Sequence, residues 1–197
     1  MENNILTPKS YEIISVTHET NHEYTFRVAT DIVPEHGQFL QLSLPKIGEA
    51  PISVSGFGLG YMDFTIRSVG KVTDELFKLQ SGDKIFLRGA YGKGWPIEKF
   101  KNKNLVIIAG GTGVAPVRSM IKKFYLEEDY VKSLSLIFGF KDIDSILFKP
   151  ELDKWRKKFN TIYTLDKGEK DGWEQGLVTK HLSKLPLDSF GDNYEVV

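Results

Sequence analysis

The residues best suited to chemistry stand together in Ala109-Gly110-Gly111-Thr112-Gly113-Val114-Ala115-Pro116, between an apolar run and an amphipathic stretch. Glycines carry no Cβ, so their backbone can approach a charged group closely. A helix opening just after them offers free N–H groups and the positive end of its dipole. Pro116 suits the first helical turn, where its missing N–H costs nothing. A tight strand-to-helix turn alone would use similar residues. The strand–loop–helix setting points further, to a dinucleotide phosphate held by Gly110, Gly111, Thr112, Gly113 and Pro116. The pattern departs from G-x-G-x-x-G, because Pro116 occupies the third glycine's place. Ligands gather at the carboxyl ends of parallel strands. Phe140 and Lys141, which end the next strand, are therefore candidates for the coenzyme ribose or adenine, with packing alone as the other reading of Phe140.

Composition narrows the chemistry. Lys+Arg and Asp+Glu number 26 each, so no basic field favours nucleic acid or an anionic membrane. The absence of cysteine excludes disulfides, thiolate nucleophiles and cysteine-held clusters or zinc within these 197 residues, and fits a cytoplasmic location. His18, His22, His36 and His181 lack metal-ligand spacing, and no nucleophile–base pair stands out. Met1–Ser10 has no apolar core of a secretory signal, and no apolar run reaches the length of a membrane span.

Two halves must position these residues. Up to about residue 98, short strand candidates alternate with glycines: Ser10–Val16, His22–Ala29, Gln38–Leu44, Ile52–Ser55, Tyr61–Ser68 and Lys84–Arg88. Such runs predict a closed barrel or a sandwich. Met62–Arg67 alternates as a half-buried antiparallel strand should, and a short helix is expected over Asp74–Leu79 with Thr73 as its N-cap. After Lys103 the period changes, which sets the boundary within Tyr91–Asn104. Leu105–Ala109 is uniformly apolar, and Val117, Met120, Ile121, Phe124 and Tyr125 fall on one helical face. Strands Leu134–Phe138 and Thr161–Leu165 alternate with helices near Glu151–Phe159 and Val178–Leu182, which predicts a parallel sheet with crossover helices. The domains so drawn are 1–98 and 99–197. Tyr194–Val197 has the composition of an opening buried strand, which predicts a second domain incomplete at its C-terminal end.

In order and spacing, four segments resemble the ferredoxin–NADP reductase superfamily, most nearly its electron-transfer branch of anaerobic sulfite reductase B and dihydroorotate dehydrogenase electron-transfer subunits. They are Ala50–Ser55, Thr65–Thr73, Leu87–Gly92 and Gly110–Pro116. The resemblance implies a six-stranded antiparallel barrel holding FAD, followed by an α/β domain holding NAD(P)H. Its flavin motif R-x-Y/F-S maps onto Ala50, Pro51, Ile52 and Ser53, so the arginine and the aromatic are missing while the serine remains. Ser53 would then hydrogen-bond the flavin edge where hydride arrives, as the catalytic residue. Pro51, Ile52, Val54, Ile66, Arg67, Gly70, Lys71, Val72 and Thr73 are the other implied FAD contacts, with Gly70 making a tight turn into a helix whose amides face the pyrophosphate. Trp173–Thr179 resembles the family's G-x-V-T turn, with Gly176 in the turn and Thr179 capping the helix. The implied function is NAD(P)H oxidation, with electrons passing through FAD and a [2Fe-2S] cluster on a further segment to a partner subunit of a reductase complex, on the sulfite pathway. Lys141 is followed by Asp142 and Asp144, whose charges oppose a 2′-phosphate and favour NADH. The competing expectation is a non-catalytic nucleotide-binding or partner-docking module, which the departures at Ala50 and Ile52 would suit.

Overall fold

The computed structural model describes residues 7–197, so residues 1–6 of the opening Met1–Ser10 segment lie outside it. The chain divides into two compact units: residues up to Trp95 with Ala115–Ser119, and Pro96–Val114 with Met120–Val197.

In the first unit β1 (Lys9–His18), β2 (Glu23–Ala29), β3 (Phe39–Leu44), β4 (Gly48–Gly58), β5 (Tyr61–Arg67) and β6 (Lys84–Tyr91) close into a barrel of order β1-β2-β5-β4-β3-β6. Every pairing is antiparallel, and β6 closes the ring by returning to β1, with Lys9 opposite Leu87. Closure leaves no sheet edge to pair with another chain. Phe26, Leu40, Leu42, Met62, Phe64 and Leu87 fill the interior.

Two expectations for this unit need correction. Met62–Arg67 alternates, yet two of its polar members are not solvated: Asp63 is 3% exposed and Thr65 7%. Each has found partners from neighbouring strands. Thr65 Oγ1 donates to Ser55 Oγ at 2.8 Å and lies 2.9 Å from Thr25 Oγ1. Asp63 receives Arg27 Nε at 2.8 Å and Nη2 at 3.0 Å. The short helix, α1 (Lys71–Leu76), begins earlier than expected, and Thr73 lies inside it. Its Oγ1 accepts from Val69 N at 2.9 Å and Gly70 N at 3.1 Å, so the hydroxyl fastens the preceding turn rather than capping a helix after it.

The second unit holds a sheet of order β10-β9-β8-β7-β11, made of β7 (Asn104–Gly110), β8 (Ser133–Phe140), β9 (Asn160–Leu165), β10 (Glu174–Gln175) and β11 (Tyr194–Val196). All its pairings are parallel. α2 (Ala115–Leu126) follows β7, α3 (Lys149–Arg156) precedes β9, and α4 (Leu187–Phe190) precedes β11. Val117, Met120, Ile121 and Phe124 are buried, as the helical period required. β11 lies in register from Tyr194 opposite Asn104 to Val196 opposite Val106 at the sheet edge, where Tyr194 and Val196 are exposed and not buried as their composition predicted. Residues Val178–Lys184 form a 3-10 helix whose N-cap is Leu177. Thr179 therefore sits within the turn and is not its cap, while Gly176 makes the bend at φ +95°. No described helix is long and apolar enough to cross a membrane.

Candidate functional site

Each unit presents its own candidate surface. Where β7 runs into α2, the strand ends at Gly110, Gly111–Val114 form one 3-10 turn, and the helix begins at Ala115 with Pro116 in its first turn. β7 is buried along most of its length, which fixes where it delivers the glycines. Gly111 has φ +51°, a left-handed conformation that favours glycine, and a Cβ there would meet nothing within 4 Å. At Gly113 the nearest atom to such a Cβ is the Ala109 Cβ at 4.0 Å. The turn thus leaves its backbone open on the side where side chains would project, and the helix start beyond it has no acidic residue in its first turn. These features fit a pyrophosphate.

Alongside, β8 pairs with β7 so that Gly139 stands opposite Gly110. A Cβ on Gly139 would lie 2.7 Å from Val178 Cγ1 and 3.0 Å from Thr164 Oγ1, so close packing accounts for that glycine. The Phe140 side chain is 2% exposed and lies against Trp173, with ring centroids 5.9 Å apart. The structure therefore assigns its ring to packing. Lys141 is exposed at the strand end. Asp142 caps the next 3-10 turn, accepting from Ser145 N at 3.0 Å. A hydrogen bond from the Ser145 hydroxyl, the largest influence, holds the Asp142 carboxyl below its usual range.

In the first unit the candidates divide by face. Val54 and Ile66 are buried in the barrel core and Ile52 packs against it, so those three side chains face inward and only their backbone is open to a ligand. Ser53 and Pro51 point the other way. In register with them across β3 and β6 come Phe39 and Tyr91 beside Ser53, and Gln41 and Arg88 beside Pro51. The Ser53 hydroxyl makes no hydrogen bond among the described residues. Gln41 Oε1 is buried without a partner. Arg88 is paired to Glu49, and its Nη1 donates to Tyr91 Oη at 3.1 Å. An uncommitted hydroxyl and an orphaned amide oxygen beside two rings fit a planar, hydrogen-bonding cofactor such as a flavin.

At the far end of β5 the arrangement differs from expectation. Arg67 Nε lies 3.3 Å from the buried Glu23 carboxylate, so its charge is already paired. Gly70 has φ 169°, extended backbone open to any residue, and a Cβ there would meet nothing within 4 Å. The turn therefore does not require glycine. Lys71 is exposed, Val72 packs on the barrel core, and Thr73 is buried. Among the described residues no three His, Cys, Asp or Glu side chains gather as metal ligands.

Phe39, Gln41 and Tyr91 had no assigned role from sequence, although Leu87–Gly92 belonged to the matching segments. The signal was present. Phe39, Gln41 and Ser43 alternate with the core residues Leu40 and Leu42.

Comparison with known proteins agrees with this architecture. Residues 107–194 match the oxidoreductase NAD-binding domain family. The chain is 31% identical over 163 residues to sulfhydrogenase 2 subunit gamma of Pyrococcus furiosus, covering 82% of this chain and 50% of that protein. It is 28% identical over 191 residues to "Probable dihydroorotate dehydrogenase B (NAD(+)), electron transfer subunit" of Methanocella arvoryzae, covering 96% of this chain and 68% of that one. Among solved structures, the ferredoxin NADP+ reductase of Neisseria gonorrhoeae with bound FAD and NADP superposes at TM-score 0.80 with 19% identity, over 96% of this chain and 83% of that one. The chain spans about half the length of the first curated relatives it matches. A closed six-stranded barrel joined to a parallel sheet with an NAD-binding domain match gives this chain the ferredoxin–NADP reductase-like fold.

Proposed function

We propose that this chain is the NAD(P)H-oxidising, FAD-binding part of an electron-transfer subunit. The observation that carries the reading is the open turn at Gly111–Gly113, set at the end of a buried parallel strand. There the backbone of Gly110, Gly111, Thr112 and Gly113, with the α2 start at Pro116, holds the coenzyme pyrophosphate. FAD would be held on the outward face of β4 by Pro51 and Ser53, with the backbone of Ile52, Val54 and Ile66 and the turn of Arg67, Gly70, Lys71, Val72 and Thr73. Bound FAD supplies a hydride acceptor able to release electrons singly. The Ser53 hydroxyl donates a hydrogen bond to the ring edge that receives hydride, which makes it the catalytic residue on this reading.

Coenzyme choice follows from charge. Lys141 offers one cation, but Asp142 stays ionised and Asp144 is exposed two residues on, which favours NADH over NADPH. The similar proteins named as sulfhydrogenase and dihydroorotate dehydrogenase subunits support delivery to other subunits of a complex. Sulfite reduction remains our proposed pathway on the motif resemblance. A [2Fe-2S] relay would sit on a cysteine-bearing segment outside these residues, since this sequence has no cysteine. We place the complex in the cytoplasm.

The test is a visible spectrum before and after adding FAD, followed by anaerobic NADH. A bound-flavin spectrum that bleaches supports the reading. A protein that takes up no FAD returns the chain to the non-catalytic module.

A further inference from the structure

Three strands of the barrel place an aromatic pair beside Ser53. Ser53 on β4 stands opposite Phe39 on β3, and Phe39 opposite Tyr91 on β6. Their neighbours Leu40, Ile52, Val54 and Ala90 belong to or pack on the barrel core, so this row faces outward, and all three of its members are half-buried. The Phe39 and Tyr91 rings lie 5.8 Å apart at 44°. Tyr91 is held in turn. Arg88 Nη1 donates to its hydroxyl at 3.1 Å, the guanidinium lies 5.6 Å from its ring centre, and Glu49 pairs with Arg88.

β4 itself carries no outward ring: its residues on this face are Glu49, Pro51 and Ser53. Two strand spacings, about 10 Å, separate the β4 and β6 ends of the row. That span suits a fused tricyclic ring laid across the strands, with its edge at Ser53 and its body on the aromatic pair. Aromatic rings favour offset or tilted contact with a further planar ring, and the tilted Phe39 and Tyr91 are both only half-buried on this face. We propose that Phe39 and Tyr91 form the aromatic wall of the flavin site, with Arg88 and Glu49 positioning Tyr91. The inference rests on the FAD reading above and gives that site its ring-binding residues. Because Glu49 neutralises Arg88, the pair fixes geometry rather than attracting phosphate.

The experiment measures FAD dissociation constants and bound-flavin fluorescence for the unaltered protein and for Phe39→Leu, Tyr91→Leu and Tyr91→Phe. Near-UV circular dichroism checks that each barrel is folded. A phenol ring against the flavin quenches its emission by donating an electron to the excited ring, which a phenyl ring does not, so the unaltered protein should bind FAD in a strongly quenched form. Each leucine variant should weaken FAD by about tenfold; Tyr91→Leu and Tyr91→Phe should both recover emission, while Tyr91→Phe, which keeps the ring and loses only the Arg88 bond to its hydroxyl, should lose about threefold in affinity. Unchanged affinity in both leucine variants, or quenching that persists in both Tyr91 variants, would overturn the wall. Unquenched flavin in the unaltered protein would do the same, without relying on any variant. If the unaltered protein binds no FAD at all, the FAD reading fails first and the wall falls with it.

Discussion

The glycine turn allows one experiment in which stability and binding should move in opposite directions. Gly113→Ala adds a methyl whose nearest protein atom is Ala109 Cβ at 4.0 Å, and no positive φ stands against it. Restricting the unfolded chain at such a site stabilises by about 0.4–1 kcal/mol. Gly111→Ala also meets nothing within 4 Å, but it must hold φ +51°. A left-handed conformation costs a residue with a Cβ about 1–2 kcal/mol, so this variant should be less stable by roughly that amount. If the turn cradles a pyrophosphate, either methyl occupies part of the cradle. Losing one charge-assisted hydrogen bond of about 1.5–3 kcal/mol then weakens the coenzyme by roughly ten- to a hundredfold. Urea unfolding reads the first effect, and calorimetric titration with ADP-ribose and NADH reads the second. Gly113→Ala is the decisive variant, expected to be slightly more stable and yet a poorer binder. Unchanged ADP-ribose affinity in a folded Gly113→Ala protein would refute phosphate binding at this turn.

Other expectations follow from packing and charge. Asp63→Ala leaves Arg27, whose side chain is 41% exposed, and Arg118, at 3.4 Å, without their carboxylate. Breaking a buried pair costs about 3–5 kcal/mol, and rehydration of the part-exposed Arg27 reduces this to roughly 2–3 kcal/mol, readable as a lower urea midpoint. Gly139→Ala forces a methyl to within 2.7 Å of Val178 Cγ1 and should cost about 1–3 kcal/mol, seen as a lower melting temperature. The Asp142 carboxyl is held below 3.8 by Ser145, so its stabilising contribution is present above that ordinary value and is lost only as pH falls through the lower folded one. Asp142 therefore stays charged from pH 7 to pH 5, and the preference for NADH over NADPH, measured by competitive flavin reduction, should narrow over that range only as the 2′-phosphate takes up a proton at about pH 6. It should narrow in Asp142→Asn.

The sequence by itself determined the local elements, because these depend on residues a few positions apart. Leu105–Ala109 had to be a strand buried on both faces, and the spacing from Val117 to Tyr125 had to form a helix with one buried side. With the glycines between them, that pair made a candidate phosphate turn legible before any fold was known. What tertiary structure alone decided was the fate of side chains whose partners lie far along the chain. Asp63 and Thr65 read as a solvated face, yet they are buried because Arg27 and Thr25, 36 and 40 residues away, reach them across β2. Phe140 read as a possible coenzyme contact until Trp173 covered it. Thr73 and Thr179 carried capping chemistry, but the helices began before them. The row Ser53–Phe39–Tyr91 arises only when β3 lies between β4 and β6, an order that no local pattern encodes. Periodicity records which face of a strand is apolar. Which polar groups meet across strands is set by register and closure, and those are properties of the whole barrel.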